Sequence, residues 1–277
     1  MFVKKPYSLL FIFSFKACIV LWIVFSTSVM AQRAIPQTTL KATFKTHTHQ
    51  VYVFKSKSNR GKLLFLHGWH LPASDWWLKT NAIDYALNQG YNCICPDLDK
   101  CCYNDSVYKE TDPRYLEYPT RTWIRQVLMP LVQSEGYLTP QAFNCVVGIS
   151  TGCRGAVLLA ADYPDVFKKA LLLSGDYNQT QMPEDGLMTA CYGKYTHYKN
   201  RWLKTDNPAY IAKDLKCDII LVHGLNDKIV PYKQSQSFYK QLKKFNKNAE
   251  LFVIKNAAHD YLLWNTQLQQ KLKMLWN

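Results

Sequence analysis

Three side chains far apart in the chain have the types needed for acyl transfer: Ser150, Asp227 and His259. Ser150 sits in Gly148-Ile149-Ser150-Thr151-Gly152, after the apolar run Phe143 to Val147 and before the helical pattern Gly152 to Ala161. A serine on a tight strand-to-helix turn presents its hydroxyl at a sheet edge, and flanking glycines let the backbone pass closely. The start of a helix also favours negative charge developing beside that hydroxyl. A hydroxyl is a poor nucleophile without a base. His259 can be that base, because it follows the last apolar run, Leu251 to Ile254, through Lys255-Asn256-Ala257-Ala258. Asp227 follows the run Ile219 to Val222 within His223-Gly224-Leu225-Asn226-Asp227-Lys228-Ile229-Val230-Pro231. A carboxylate there could hold the imidazole in the required tautomer.

Other candidates compete for these roles. Asp176 follows Leu173-Ser174-Gly175 and rivals Asp227 as the acid, although the Asp227 loop fits better. Asp97 and Asp99 fall one strand too early and read as structural or rim residues. Asp260 is next to His259 in sequence and is badly placed to brace its ring. His67 and His223 are expected to be structural, while His70 and Tyr177 are expected to line the substrate pocket. His47 and His49 alternate on an early strand, which reads as a solvent-facing strand in preference to a zinc site. Metal-ligand spacing is absent, and no cofactor is implied.

Those residues must be positioned by elements that the periodicity predicts. Lys41 to Phe54 alternates as a two-stranded start. Strands follow at Leu63 to Leu66, Tyr91 to Cys95, Phe143 to Val147, Ala170 to Leu173, Ile219 to Val222 and Leu251 to Ile254. Helices are expected over Asp75 to Leu87, Thr122 to Val132, Gly152 to Ala161, Gln234 to Phe245 and Asp260 to Trp276. This alternation predicts an α/β fold: a mostly parallel, doubly wound sheet flanked by helices, with the strands' C-terminal ends along one edge where ligands bind. Residues 176–210, after the sixth strand, break the rhythm. They hold many aromatics (Tyr177, Tyr192, Tyr195, Tyr198, Trp202, Tyr210) and read as a lid-like insertion over that edge.

The first 31 residues form a separate object. Lys4 and Lys5 open it, Ser8 to Phe25 is apolar apart from Lys16, and small residues end at Ala31. That order is expected of a secretory signal, with 32–277 as the mature domain. Uncleaved, the same segment would be an N-terminal membrane anchor, the one membrane association foreseen. Either way the rest is expected to be secreted, periplasmic or held at the cell envelope. Removing 1–31 takes away Lys4, Lys5 and Lys16 and no acid, lowering the formal charge of +14 by three. The remaining basic residues are scattered without a recognition helix, so no nucleic-acid partner is expected. Among the cysteines, Cys93, Cys95 and Cys145 lie in strand-like runs as small hydrophobes, whereas Cys101, Cys102, Cys153 and Cys191 are better candidates for bridging.

Gly148 to Gly152, the His223 to Pro231 loop and Leu66-His67-Gly68-Trp69 together resemble the α/β-hydrolase superfamily over residues 40 to 277, and Ser, Asp, His is the chain order of its triad. Val127-Leu128-Met129-Pro130-Leu131-Val132 and His259-Asp260-Tyr261 with Trp264 are similar to the esterase D-like group. The resemblance implies a serine carboxylic-ester hydrolase with Ser150 as nucleophile, His259 as base and Asp227 as supporting acid. It also implies an oxyanion hole from the amides of Thr151 and Trp69. Cys153 departs from the glycine common at its position, but a small residue still fits the helix. Export points to an extracellular small-molecule or saccharide ester as substrate. One alternative is a serine peptidase of the prolyl-oligopeptidase type, whose large upstream β-propeller has no room before Leu63. Another is a catalytically inactive hydrolase-fold binding protein, against which the intact triad argues.

Overall fold

The computed structural model describes residues 33–44 and 46–276, so the expected export segment, 1–31, lies outside the described residues. Alternating residues produce β1 (Thr38–Phe44) and β2 (His47–Phe54), paired antiparallel with Ala42 opposite His49. Six further strands follow: β3 (Gly61–Leu66), β4 (Tyr91–Pro96), β5 (Asn144–Ile149), β6 (Phe167–Leu173), β7 (Asp218–Gly224) and β8 (Ala249–Ile254). They form one sheet in the order β1-β2-β4-β3-β5-β6-β7-β8. β2 meets β4 antiparallel, and every pairing beyond it is parallel. This is the mostly parallel sheet that the alternation of runs predicts.

Successive side chains on a strand point to opposite faces, and both faces here are covered. Leu63 and Phe65 of β3 join Cys93, Val147 and Leu171 beneath helices α2 (Ala82–Asn88) and α9 (Tyr261–Lys271), which contribute Ile83, Ala86, Leu263 and Trp264. Leu64 and Leu66 point the other way and meet Ile94, Val146, Leu172 and the α5 (Thr151–Asp162) residues Ala156, Val157 and Ala160. Continuous apolar runs are what a parallel strand buried on both sides requires. Each fully buried leucine or phenylalanine contributes about 1.5–3 kcal/mol.

Two helices differ from expectation. The predicted helix over Asp75 to Leu87 is two, α1 (Asp75–Leu78) and α2. Thr80 Oγ1 donates to the Trp76 carbonyl at 2.6 Å and accepts from the Ala82 amide at 3.3 Å, so a side chain takes over bonds the helix would have made. The second helix runs as α3 (Thr120–Trp123), a π-helical turn over Ile124–Leu128 and α4 (Met129–Ser134). Pro130 has no amide hydrogen to continue the regular ladder, and just ahead of it the Met129 amide reaches back five residues to Ile124.

Between β6 and β7, residues 176–210 carry α6 (Gly186–Tyr192) and α7 (Pro208–Ile211). Buried charges fasten this segment to the body. Arg121 of α3 binds Asp162 of α5 at 2.6 Å and Asp206 of the insertion at 3.4 Å, and both oxygens of Asp206 accept from the Asp105 amide at 3.1 Å. A small cluster of Cys102, Leu116, Met188, Cys191, Tyr192 and Trp202 packs the rest of the contact. All eight described cysteines are buried and free, including the four expected to bridge. Cys153, for one, donates its thiol toward the carbonyls of Gly148 and Leu173 at 3.1 Å.

Burial, followed by the charge of Asp105, raises the Asp206 carboxyl to about 6 against the opposing pull of the Asp105 amide, Arg121 and Arg154. A carboxyl whose folded pKa lies above the unfolded value of about 3.9 binds its proton more tightly when folded. Its contribution is therefore complete below about pH 4 and lost as pH rises through about 6. Urea unfolding of wild type and Asp206→Asn at pH 4 and pH 7 should show wild type losing on the order of 3 kcal/mol relative to the variant across that interval. A pH-independent difference would refute this assignment.

Candidate active site

Gly148, Gly152 and Gly68 let three backbone segments meet around Ser150. A Cβ on Gly148 would lie 2.5 Å from the Gly152 carbonyl oxygen, and one on Gly152 only 2.0 Å from that of Leu66. A Cβ on Gly68 would stand 2.9 Å from the Cβ of Ser150 itself. The start of α5 is thus pressed onto the end of β3. Ser150 joins β5 to α5 at φ 53°, ψ −129°, a region that residues with side chains rarely occupy. Its amide is held by the Leu173 carbonyl at 3.0 Å, and its own carbonyl accepts from the Cys153 amide at 3.0 Å. The hydroxyl therefore stands out from the sheet edge.

The loop after β8 delivers His259 to that hydroxyl. Its Nε2 is 3.0 Å from Ser150 Oγ, and its Nδ1 is 2.7 Å from Asp227 Oδ2. A carboxylate can only accept, so Nδ1 carries the proton and Nε2 is free to take one from the serine. Asp227 Oδ1 accepts from the amides of Ile229 at 2.9 Å and Val230 at 2.8 Å. His223 Nε2 donates to the Val230 carbonyl at 2.8 Å and lies 3.2 Å from Asp227 Oδ2. Burial works against ionisation of Asp227, but the hydrogen bonds from His223, His259 and Val230 together outweigh it and hold the carboxyl well below its usual range. The imidazole also has an apolar brace. Trp264 meets its ring edge-on at 5.1 Å and donates Nε1–H to Ser174 Oγ at 3.1 Å.

These residues open into a cavity of about 520 Å³ lined by Ser150, Thr151, His259 and Trp69, with Leu71, Met182, Leu187 and Met188 supplying apolar wall. The two residues expected to supply oxyanion donors, Thr151 and Trp69, line the same cavity as Ser150. Trp69 is fixed there by donating Nε1–H to the Tyr115 carbonyl at 2.8 Å. His67 sits beneath this loop as expected. Its Nδ1 is 2.7 Å from the Gly68 carbonyl, its Nε2 accepts from the Leu98 amide at 2.8 Å, and burial lowers its pKa.

Two expected pocket residues lie elsewhere. His70 has φ 53° and turns outward to Asp99, 3.0 Å away, on the wall of a separate cavity of about 640 Å³ that contains none of Ser150, His259 and Asp227. Tyr177 is fully buried and stacked on Phe238 at 4.5 Å, so it packs the insertion instead of facing a ligand. Asp176 does not replace Asp227, because Arg154 holds its Oδ2. Asp260 caps α9, accepting from the Leu263 amide at 2.9 Å. The rings of His47 and His49 lie against Tyr118, and among the described residues no group of ligating side chains could hold a metal ion. Sequence reasoning passed over Arg154, Asp185, Met182 and Met188. Arg154 had left a signal, as a lone charge inside the apolar pattern Gly152 to Ala161.

Comparison with known proteins gives a consistent picture. The family model for prolyl oligopeptidases matches residues 127–276, and that for the α/β-hydrolase fold matches residues 62–189. No curated protein matches the sequence. Among solved structures, a fluorophosphonate-binding serine hydrolase of Staphylococcus aureus is 17% identical, with a TM-score of 0.69 over 87% of this chain and 98% of that one. An S-formylglutathione hydrolase of Agrobacterium tumefaciens is 13% identical, with a TM-score of 0.68 over 88% and 98%. The acylaminoacyl peptidase of Pyrococcus horikoshii is 17% identical, with a TM-score of 0.66 over 89% of this chain but only 41% of its own. At these identities the likeness is one of fold.

Gly152→Ala tests the close approach that shapes the site. With backbone on the receiving side, little can yield, and the substitution is expected to cost about 3 kcal/mol, the upper end for overpacking. Thermal unfolding should show a midpoint several degrees lower; an unchanged midpoint would mean that the contact is not as tight as described.

Proposed function

The chain belongs to the prolyl oligopeptidase family; within that frame of serine hydrolases, we propose from the geometry of the site that it cleaves carboxylic esters through Ser150, His259 and Asp227. The observation that carries the reading is the hydrogen-bonded line from Asp227 through His259 to Ser150, at 2.7 and 3.0 Å. Ser150 Oγ attacks the ester carbonyl carbon while His259 Nε2 takes the hydroxyl proton. The imidazolium that forms is stabilised through Nδ1–H by Asp227. Negative charge gathers on the former carbonyl oxygen, where the amides of Thr151 and Trp69 act as donors; one such donor is worth roughly 3 kcal/mol. As the tetrahedral intermediate collapses, His259 gives its proton to the leaving alcohol. Water, activated by the same histidine, then releases the acid.

Substrate and compartment are parts of the same proposal. Ester hydrolysis is supported by the likeness of fold to the fluorophosphonate-binding serine hydrolase and the S-formylglutathione hydrolase above. Action outside the cytoplasm is supported by the basic start, apolar middle and small-residue end of residues 1–31. The family match favours peptide hydrolysis as a second reading. Paired assays on p-nitrophenyl esters and aminoacyl p-nitroanilides separate the two by which leaving group is released.

Ser150→Ala is expected to lower ester turnover by about 10⁴ to 10⁶ and to abolish labelling by a fluorophosphonate probe, with the far-UV spectrum unchanged. His259→Ala should lose about as much, and the double variant little more, because the two act as one unit. Near-wild-type turnover of Ser150→Ala would refute the nucleophile. Asp227→Asn should keep the fold and lose about 10⁴ in kcat through the wrong imidazole tautomer.

A further inference from the structure

Asp75 and Tyr261 stand 186 residues apart in the chain, and the Tyr261 hydroxyl donates to Asp75 Oδ2. Each belongs to a segment that serves the reaction. Asp75 opens α1 just after the loop of Trp69, the expected oxyanion donor. Turns stiffen the stretch between them: the Leu71 amide donates to the Gly68 carbonyl at 3.2 Å and the Asp75 amide to the Pro72 carbonyl at 3.1 Å. Tyr261 opens α9, separated from His259 only by Asp260, and lines the catalytic cavity with Ser150. Its ring meets Trp264 edge-on at 4.9 Å, and Trp264 meets the His259 imidazole edge-on at 5.1 Å.

Asp75 is 4% exposed, and a buried carboxylate is costly unless it is paired. Lys79 supplies the pairing charge at 3.0 Å from Asp75 Oδ2, with its ammonium 4.7 Å from the centre of the Tyr261 ring. Burial first, then the bond to Asp75, raises the Tyr261 pKa, so the phenol keeps its proton and acts as the donor. Asp75, Lys79 and Tyr261 therefore hold one another in a single arrangement. The sheet fixes the spacing of the two segments only indirectly, because β5, β6 and β7 lie between β3 and β8. The expected oxyanion donor and the base come from the loops after those two strands, and a misplacement of about 1 Å can cost about a hundredfold in rate. We propose that Asp75 and Tyr261 are positioning residues that tie the loop after β3 to the loop after β8 and so hold Trp69 and His259 in register across the cavity. The proposal rests on the serine-hydrolase reading, which gives those two loops their roles.

The test measures kcat and KM on p-nitrophenyl butyrate and the inhibition constant of n-butylboronic acid, which forms a tetrahedral adduct on an active serine. Each variant is assayed well below its own unfolding midpoint. Tyr261→Phe keeps the ring and its contact with Trp264 and removes only the hydroxyl. α9 stays anchored through the Asn81 amide, which donates to Asn265 Oδ1 at 2.9 Å, so the fold should hold. The variant is expected to lose about ten- to a hundredfold in kcat with KM changed by less than about twofold. The boronate constant should rise with the loss in kcat/KM, because the tetrahedral state feels the misplacement. Asp75→Ala should lose as much, and Asp75→Asn, which keeps an oxygen for the tyrosine to donate to, should recover most of it. Three results, each with a wild type that still labels with fluorophosphonate, would overturn the proposal: a Tyr261→Phe enzyme with wild-type kcat, a loss carried by KM with the boronate constant unchanged, or Asp75→Asn no better than Asp75→Ala. Wild-type protein that neither turns over esters nor labels would instead refute the serine-hydrolase reading, and this role with it.

Discussion

Ser150 keeps its backbone at φ 53°, which costs a residue with a side chain about 1–3 kcal/mol, and the surrounding sheet must overcome that cost. It does so by close backbone packing. Gly148 and Gly152 have no room for a Cβ, the Leu173 carbonyl pins the serine amide, and Gly68 lets the β3 loop touch the serine side chain. Once the turn is forced, the hydroxyl has one direction to point. The cavity wall, the position of Thr151 and the reach of His259 all follow from it.

Asp227 organises the opposite side of the cleft by the same logic of competing terms. Burial alone would favour its neutral form, in which it could not hold the imidazole well. Two histidines and two loop amides supply enough hydrogen bonds to reverse that preference. The reach of one carboxylate thus fixes the turn 227–230, the ring of His223 and the ring of His259 together. Trp264 adds an apolar contact that leaves the imidazole few other orientations.

The insertion is attached differently, through buried charge. Replacing a buried ion pair with apolar groups is often neutral or stabilising, whereas removing a single partner costs about 3–5 kcal/mol. Arg154 and Arg121 are therefore poor sources of net stability but strong determinants of register. Each accepts a narrow set of partners, and that set fixes where residues 176–210 cross the sheet edge. The cavity's acidic, apolar wall follows from this attachment: Asp176 is held by Arg154, and Met182, Asp185 and Met188 line the cavity that Ser150 shares.

Local pattern determined the sheet and most helices and singled out Ser150, Asp227 and His259 as candidates, because period-2 and period-3.6 apolar patterns and glycine-flanked turns are properties of neighbouring residues. It also placed His67 correctly. It failed where contacts between distant segments decide. His70 and Tyr177 sit at suitable chain positions, but one is turned outward by a left-handed backbone and an aspartate 29 residues away, and the other is drawn under the insertion by Phe238. The helix break at Thr80 arose from one hydroxyl competing for a carbonyl, which no periodicity records. What the sequence determined by itself is the set of reactive groups and the order of elements. Only the tertiary structure decided which carboxylate faces which partner, since Asp176 and Asp227 both follow sheet strands and differ only in whether an arginine or a histidine comes within reach.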